Sequence, residues 1–374
     1  MTYSGPIIDV DLHHRWRSDV ELLEFVEPRF RELILSERGN APVDAPAVPM
    51  FHYVGGSQKR RDAYPEVGPP GSDYELLCEQ WLDPYPVELG VLTYDVGTSG
   101  GMPNPYLSSA LCRAANDWTA ECWLQRPDSR LGGTVLVPTM LPEDGAAEIR
   151  RIGSNPRFVE ALLVSNGLGE PFGHPVYHPI YEAATEMGLP IAYHLGGDSW
   201  THNSHMSAGG MPSTRFEYHT IANHAAMLHV TSFVTHGVFE RFPSLKLLVV
   251  ESGVSWLPWL FWQLDRLHEI YRRESSWVKR LPSEYLRDHI RLSTQPLEAP
   301  SRHEQMLRVF EALDGIDEIL VFASDYPHWD ADDPRHIAGV LPDEWAPKVF
   351  HDNAAGVLRM PAATERAVTA GAPR

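Results

Sequence analysis

A short apolar segment near the start of the chain carries four ionisable side chains. The segment IIDVDLHH (7–14) contains Asp9 and Asp11 and ends in His13 and His14. In a strand, side-chain alternation places Asp9, Asp11 and His13 on one face. A buried charge is costly unless it is paired or bound to a metal, and carboxylates and imidazoles are common metal ligands. The pattern indicates either an ordinary strand end with solvent-facing polar groups or one part of a metal site.

Three later apolar segments also end in ionisable residues. His194 lies at the end of PIAYHLG, Glu251 lies within VVESG, and Asp325 lies within FASDYPH. If these segments are strands of one barrel, their carboxyl ends meet at the face where the active sites of such barrels lie. The recurrence of metal-ligating residue types at strand ends favours the metal site.

The elements that would position these residues form a repeating pattern. Short β-branched segments alternate with longer segments of helical periodicity, which predicts a parallel α/β sheet. Eight strands close a (β/α)₈ TIM barrel. An open doubly wound sheet is the alternative, although no GxGxxG turn follows the first strand to support nucleotide binding. The predicted strands are 7–13, 88–94, 132–138, 158–165, 190–196, 246–253, 290–296 and 319–327, and the main predicted helices are 104–126, 178–188, 256–275 and 301–315, the last ending at Gly315.

We expect one metal-dependent barrel domain over residues 1–360 and a C-terminal tail over 361–374. Residues 36–73 are rich in proline and glycine and are predicted to form an inserted loop region after strand 1 that covers the barrel mouth. A surface loop without function is the alternative. The basic cluster KRR (59–61) could attract an anionic group such as a carboxylate, although a solvated loop explains it as well.

Composition limits the partners and the compartment. The 374 residues include 31 basic and 50 acidic side chains, a net charge of −19, which argues against nucleic-acid and anionic-membrane partners and favours bound cations. Three cysteines, Cys78, Cys112 and Cys122, form no disulfide framework. With no signal-peptide pattern and no apolar run of transmembrane length, we expect a cytoplasmic protein.

The motifs resemble the amidohydrolase superfamily, in the branch related to aminocarboxymuconate-semialdehyde decarboxylase. The resemblance runs from IIDVDLHH to FHDNAAGVLRM and rests on HPIYEAATEMGLPIAYHLGG, HGVFERFPSLKLLVVESGVSWLPWLFWQLDR and FASDYPHWD. It implies that Asp11 and His13 occupy the ligand positions of the first strand. His194 and Asp325 correspond to the ligands of strands five and eight. Glu251 stands where the family carries a histidine.

Two mechanistic classes follow from this resemblance. In the first, Asp11, His13, His194 and Asp325 hold one Zn²⁺ or Mn²⁺, and Glu251 is a general acid or base. The enzyme is then a decarboxylase or hydrolase of a small carboxylate-bearing substrate. In the second, Glu251 is itself a ligand, and the oxygen-rich set suits two Fe ions and a dinuclear non-haem iron monooxygenase. A non-enzymatic metal-binding relative is a third possibility.

Further residues are predicted to lie around the metal. His328 follows Asp325 by three residues and is assigned a catalytic role beside Glu251. His14, Arg15 and Trp256 are assigned to substrate binding, although a solvated loop start and helix packing would also explain them. His202 and His205 could approach the metal. The expected partner is a small-molecule substrate, and a homodimer is possible.

Overall fold

The computed structural model describes residues 3–37, 59–94, 100, 102, 104–126, 130–164, 168–195 and 213–361. Its centre is one sheet of eight parallel strands in the order β1 to β8, so each strand pairs with its neighbours in sequence. The strands are β1 Ile7–His14, β2 Val87–Tyr94, β3 Leu131–Leu136, β4 Phe158–Leu163, β5 Ile191–His194, β6 Leu247–Val250, β7 Ile290–Ser293 and β8 Leu320–Val321.

The barrel is nearly closed by contacts between its first and last strands. Val10 N–H donates to Phe322 C=O at 3.1 Å, and His13 N–H donates to Tyr326 C=O at 2.7 Å. Asp325 N–H donates back to Asp11 C=O at 3.1 Å. The predicted TIM barrel is therefore confirmed, and the same backbone contacts bring the ends of β1 and β8 together.

Helices connect the strands and surround the barrel. Within the described ranges, short 3₁₀ turns lie at Arg61–Ala63 and Pro175–Tyr177, and π-helical segments lie at Cys78–Leu82, Thr119–Trp123 and Lys348–Asp352. The α-helices are α1 Asp19–Leu23, α2 Pro28–Glu37, α3 Tyr74–Leu77, α4 Pro105–Trp118, α5 Pro142–Ile152, α6 His178–Met187, α7 Arg215–Ile221, α8 Asn223–Thr235, α9 Val238–Arg241, α10 Leu257–Tyr271, α11 Pro282–His289, α12 His303–Phe310, α13 Ile316–Ile319, α14 Pro334–Val340 and α15 Asn353–Ala355. None of these helices has the length and apolar character needed to cross a bilayer.

Helix ends differ from the sequence prediction where local geometry intervenes. The helix predicted over 301–315 ends at Phe310, and a turn follows in which Leu313 N–H donates to Phe310 C=O at 2.8 Å. Gly315 adopts the left-handed conformation, with φ of 77°, immediately before α13. This glycine thus begins the next helix instead of ending the previous one, because its positive φ turns the chain between the two.

Only part of the predicted insertion falls in the described ranges. Residues 38–58 lie outside them, while residues 59–73 run beside the end of β8. Lys59 and His328 form an isolated antiparallel bridge, and Arg60 N–H donates to Pro327 C=O at 3.0 Å. The Arg60 guanidinium also lies 5.8 Å from the centre of the Tyr326 ring. The end of the insertion is therefore attached to the loop that follows Asp325, as an insertion over the barrel mouth would require.

The interior of the barrel contains a buried carboxyl group below the strand ends. Asp9 is fully buried and accepts hydrogen bonds from Trp81 Nε1 at 2.7 Å, Ser324 N–H at 2.9 Å and Asp11 N–H at 3.2 Å. Burial raises the pKa of Asp9 to about 7. Because both oxygens are occupied, Asp9 connects β1 to the residues after β8 and supports the backbone of Asp11 from below.

Candidate metal centre

Three predicted ligands meet at the carboxyl ends of β1 and β5. Asp11, His13 and His194 are buried, and each places one ligand atom within 4.8 Å of the others. His194 Nε2 lies 3.3 Å from Asp11 Oδ2, and His13 Nε2 lies 3.5 Å from Asp11 Oδ1. The alternation of side chains along β1 produces this arrangement, since Asp11 and His13 both point into the barrel.

A second group overlaps with the first through His13. Asp325 Oδ1 lies 2.9 Å from His13 Nε2 and 2.5 Å from His328 Nδ1. The three residues are buried, and one ligand atom of each lies within 4.8 Å of the others. The ends of β1, β5 and β8 therefore supply two ligand groups with a shared histidine.

The facing atoms of these side chains contact one another without regular hydrogen bonds. Asp11 Oδ2, His13 Nε2, His194 Nε2 and Asp325 Oδ1 are all buried and lie within ion-pair distance of each other, but none makes a hydrogen bond of regular geometry in the described part of the chain. Buried polar atoms are almost always satisfied, so four such atoms directed at one another need an explanation. A divalent cation ligated by carboxylate oxygens and imidazole nitrogens would satisfy all four. The residues present therefore fit a metal ion.

Neighbouring groups orient two of the ligands. The Thr93 hydroxyl donates to Asp11 Oδ1, which leaves Oδ2 directed at His194. His194 Nδ1 lies 2.6 Å from Leu195 C=O. Because a carbonyl can only accept, Nδ1 carries a proton and the Nε2 lone pair of the neutral ring is free for a metal. Such supporting hydrogen bonds are typical of protein metal sites.

The electrostatics of the cluster favour a positive charge at its centre. Burial by itself lowers the pKa of His194. The negative charges of Asp11 and then Glu251 have a larger combined effect and raise the pKa of His194 to about 10. Burial by itself raises the pKa of Asp325. The interactions of its carboxylate with His328 and His13 have a larger combined effect and lower that pKa. The carboxylates therefore attract a proton or a metal ion to the same place.

Glu251 lies beside the first ligand group. Its Oε2 is 3.4 Å from His194 Nε2, and 27% of its side chain is exposed. Burial and the nearby Asp325 raise the pKa of Glu251 to about 8, against the lowering effect of His194. Glu251 and Asp325 are also the two non-glycine residues with positive φ among the described residues, at 52° and 64°. Unfavourable backbone conformations cluster at functional sites, and both here direct a carboxylate toward the same cluster.

His328 connects the cluster to the inserted segment. Its Nε2 lies 2.6 Å from Lys59 Nζ, while its Nδ1 faces Asp325. Burial opposes charge on His328, but Asp325 outweighs it and raises its pKa to about 9, with Lys59 acting in the opposite direction. Sequence reasoning associated the KRR cluster with anions but did not place Lys59 beside His328, because this contact spans 269 positions of chain.

Of the three predicted substrate-binding residues, His14 faces away from the ligand cluster. His14 is fully buried on the opposite side of β1 from His13, with Nδ1 2.6 Å from Thr93 C=O and Nε2 2.8 Å from Thr119 Oγ1. Its ring packs against Tyr94, Trp118 and Trp123. This geometry gives no support to a substrate role for His14, since strand alternation directs it into the layer between sheet and helices.

Arg15 and Trp256 each make one contact that fixes the chain near the strand ends. Arg15 is partly buried, and its backbone N–H donates to Gly71 C=O at 2.9 Å. Trp256 is buried, and its indole N–H donates to Ser252 C=O at 2.8 Å, which supports the loop that follows Glu251. The substrate-binding role of both residues stays a prediction. The predicted metal-proximal residues His202 and His205 lie outside the described residues.

One buried carboxyl group was not singled out from the sequence. Glu160 of β4 is fully buried, and neither of its oxygens has a hydrogen-bond partner among the described residues. Burial and then Asp11 raise the pKa of Glu160 to about 8, while His194 has the opposite effect. The available signal was a charged residue within the apolar segment FVEALL, the same signal that drew attention to Asp9 and Asp11.

Comparison with known proteins agrees with the predicted fold and family. The sequence profile described as "Amidohydrolase" matches residues 8–360, nearly the whole described barrel. The chain belongs to the amidohydrolase family. The resemblance inferred from its strand-end motifs is confirmed.

The relatives of this amidohydrolase include decarboxylases. It is 22% identical to gamma-resorcylate decarboxylase from Polaromonas sp., over 66% of this chain and 74% of that protein. It is 29% identical to decarboxylase orsB from Emericella nidulans over 185 residues, which is 46% of this chain and about half (52%) of the relative's length.

Solved structures support the same architecture. 5-Carboxyvanillate decarboxylase LigW from Sphingomonas paucimobilis has a TM-score of 0.62 at 21% identity, with 96% of this amidohydrolase and 100% of that chain covered. Dihydroxybenzoic acid decarboxylase from Polaromonas sp., with bound manganese and the inhibitor 2-nitroresorcinol, has a TM-score of 0.62 at 17% identity and coverage of 97% and 99%. At these identities the similarity establishes the fold.

Proposed function

We propose that this amidohydrolase is a metal-dependent decarboxylase of an aromatic carboxylate. The observation that carries the proposal is the group of buried, unpartnered ligand atoms of Asp11, His13, His194 and Asp325 at the carboxyl end of the barrel. The relatives that decarboxylate gamma-resorcylate, dihydroxybenzoate and 5-carboxyvanillate support the reaction and the substrate class. The manganese bound in the dihydroxybenzoic acid decarboxylase supports Mn²⁺ as the ion.

In the proposed reaction, the bond between the ring carbon and the carboxylate breaks, CO₂ leaves, and a proton replaces it on the ring carbon. The four ligands would hold the ion, which when bound would orient the substrate and stabilise negative charge. Glu251 is proposed to deliver the proton, since it borders the cluster and its partial exposure allows it to be protonated again from solvent.

Lys59 is proposed to bind the substrate carboxylate. Its ammonium group lies at the cluster, 2.6 Å from His328 Nε2, on a segment attached to the loop after Asp325. An ammonium group in this position attracts an anionic substrate and orients its carboxylate through a charge-assisted hydrogen bond. The inserted segment would thus contribute directly to substrate recognition.

We expect Lys59→Met to raise KM for an aromatic carboxylate about 10- to 100-fold, because the variant loses one hydrogen bond to a charged group. The effect on kcat should be smaller. Steady-state kinetics of the metal-loaded enzyme measure this. Arg61→Met is the matched control, because Arg61 is an exposed cation two residues away, and its KM should stay unchanged. An unaltered KM in the Lys59 variant would remove Lys59 from the binding site.

The activity is tested by incubating Mn²⁺-loaded protein with 2,6-dihydroxybenzoate, 5-carboxyvanillate and related hydroxybenzoates. We expect CO₂ and the decarboxylated phenol to form in equal amounts. Removal of the metal with a chelator should abolish turnover, and addition of Mn²⁺ should restore turnover. Absence of product from the whole panel at full metal occupancy would contradict the proposal.

The overlap of two ligand groups at His13 is the observation that favours a second candidate, a dinuclear iron monooxygenase. The four relatives described above are all decarboxylases. Elemental analysis of protein purified without added metal separates the two candidates. One manganese or zinc per chain supports the decarboxylase, whereas two irons per chain with substrate-dependent O₂ consumption supports the monooxygenase.

A further inference from the structure

A basic cavity lies at the opposite end of the barrel from the metal ligands. Its volume is about 470 Å³, within the range of small-molecule sites. Lys246 directly precedes β6, Arg291 lies in β7, and Arg287 lies in the last turn of α11. The cavity is therefore at the amino-terminal ends of β6 and β7, whereas Glu251 follows the carboxyl end of β6.

The acidic residues that line this cavity already have cationic partners. Asp288 is paired with Arg280, Glu240 lies 3.3 Å from Lys279 Nζ, and Glu318 lies 3.1 Å from Lys348 Nζ. The Tyr285 hydroxyl also donates to Glu240. These three carboxylates are thus engaged by other cations.

Lys246, Arg287 and Arg291 have no such partner in the described part of the chain. Lys246 Nζ donates to Asp288 C=O at 2.5 Å, and Arg287 Nε donates to Asp314 C=O at 2.8 Å. Arg291 Nη1 donates to the carbonyls of Arg287 and Ile290, while its buried Nε has no hydrogen-bond partner. Each of the three cations therefore keeps unused donors at one cavity, although the chain as a whole is strongly acidic.

The positive charges of Lys246 and Arg291 are disfavoured where they lie. Burial and then the charge of Arg291 lower the pKa of Lys246, against the smaller effect of Asp288. Burial also lowers the pKa of Arg291, against the smaller effects of Glu318 and Asp288. Contacts with carbonyls at the end of α11 explain hydrogen bonds of Lys246 and Arg291. They do not explain why three partly desolvated cations without an ion-paired carboxylate are gathered together. A multivalent anion would relieve the repulsion and use the free donors.

We propose that this cavity binds a small phosphate-type oxyanion, either inorganic phosphate or the phosphate group of a small metabolite. The planar guanidinium groups of Arg287 and Arg291 suit bidentate contacts with phosphate oxygens, and Lys246 adds a third charge. The site is separate from the metal centre and does not depend on the proposed decarboxylase activity.

Thermal unfolding of the full-length, metal-loaded protein tests the site. Inorganic phosphate and glycerol phosphate are compared with chloride at equal ionic strength. At a phosphate concentration about 100 times its Kd, we expect the Tm of the protein to rise by about 3 °C. A lower Kd for glycerol phosphate, measured by calorimetry, would indicate a phosphorylated metabolite, and equal values would indicate free phosphate as the ligand. No phosphate-specific shift with either compound would overturn the proposal.

Variants separate this site from phosphate binding to the metal. Arg291→Gln and Lys246→Gln should each lose most of the Tm shift and keep the kcat/KM and metal content of the parent. Arg308→Gln removes an exposed cation of α12 that does not line the cavity, and it should keep the shift. If Arg291→Gln lowers stability too far for comparison, Arg291→Lys should raise Kd while keeping the charge. A shift that persists in the Lys246 and Arg291 variants would place the anion elsewhere.

Discussion

Replacing His13 or His194 by alanine is expected to remove most of the bound metal and to abolish activity while the barrel remains folded. Each imidazole supplies an unpartnered Nε2 to the ligand cluster. Loss of a neighbouring residue that hydrogen-bonds to a metal ligand typically lowers metal affinity about 10- to 100-fold. Loss of the ligand itself should therefore lower metal affinity more than about 100-fold. Elemental analysis of the purified variants measures the effect, and circular dichroism checks the fold.

His14→Ala is the matched control for these variants. His14 is the next residue on β1, but both of its ring nitrogens contact groups outside the ligand cluster. We expect it to destabilise the protein by about 1–3 kcal/mol, the usual cost of unsatisfied buried partners, and to retain its metal. Stoichiometric metal in both the His13 and the His194 variants would show that the ion binds elsewhere.

Glu251→Gln is expected to lower kcat about 10²- to 10⁴-fold while the metal is retained, the usual cost of losing a proton-transfer group. Glu251 Oε2 lies 3.4 Å from His194 Nε2, beside the four proposed ligands, and an amide cannot deliver the proton that replaces CO₂. Metal content that falls together with activity would instead make Glu251 a ligand, because an amide oxygen binds hard cations more weakly than a carboxylate. A dinuclear site should then lose one ion first.

The control for Glu251 is Glu298→Gln. Glu298 accepts hydrogen bonds from Ser255 and from the backbone of Val254 in the loop after Glu251, and it is not part of either ligand group. Its replacement tests whether disturbing that loop is enough to release metal. Full metal occupancy and full activity in the Glu251 variant would leave Glu251 with a structural role only.

Local pattern was sufficient to predict the barrel and the convergence of ionisable residues at its carboxyl end. Sequence periodicity identified all eight strands. Apolar–polar alternation and short apolar segments are both visible within a few residues of sequence. Ionisable residues at the ends of β1, β5, β6 and β8 converge since parallel strands of a barrel present their carboxyl ends on one face. The assignment of metal and substrate roles to these residues stays a prediction.

Only the tertiary structure decided which neighbours of these residues take part. Strand alternation, which can be read from the sequence, directs His13 into the cluster, but the contacts of His14 with Thr119 and Trp118 could not be read there, because these partners lie about a hundred positions away in the chain. The contact of Lys59 with His328 and the gathering of Lys246 and Arg291 join distant parts of the chain. By itself the sequence determined the fold class and the residue types at the strand ends, because both depend on short-range periodicity. Contacts between a loop and a strand end depend on how the whole chain packs, and no local pattern encodes them.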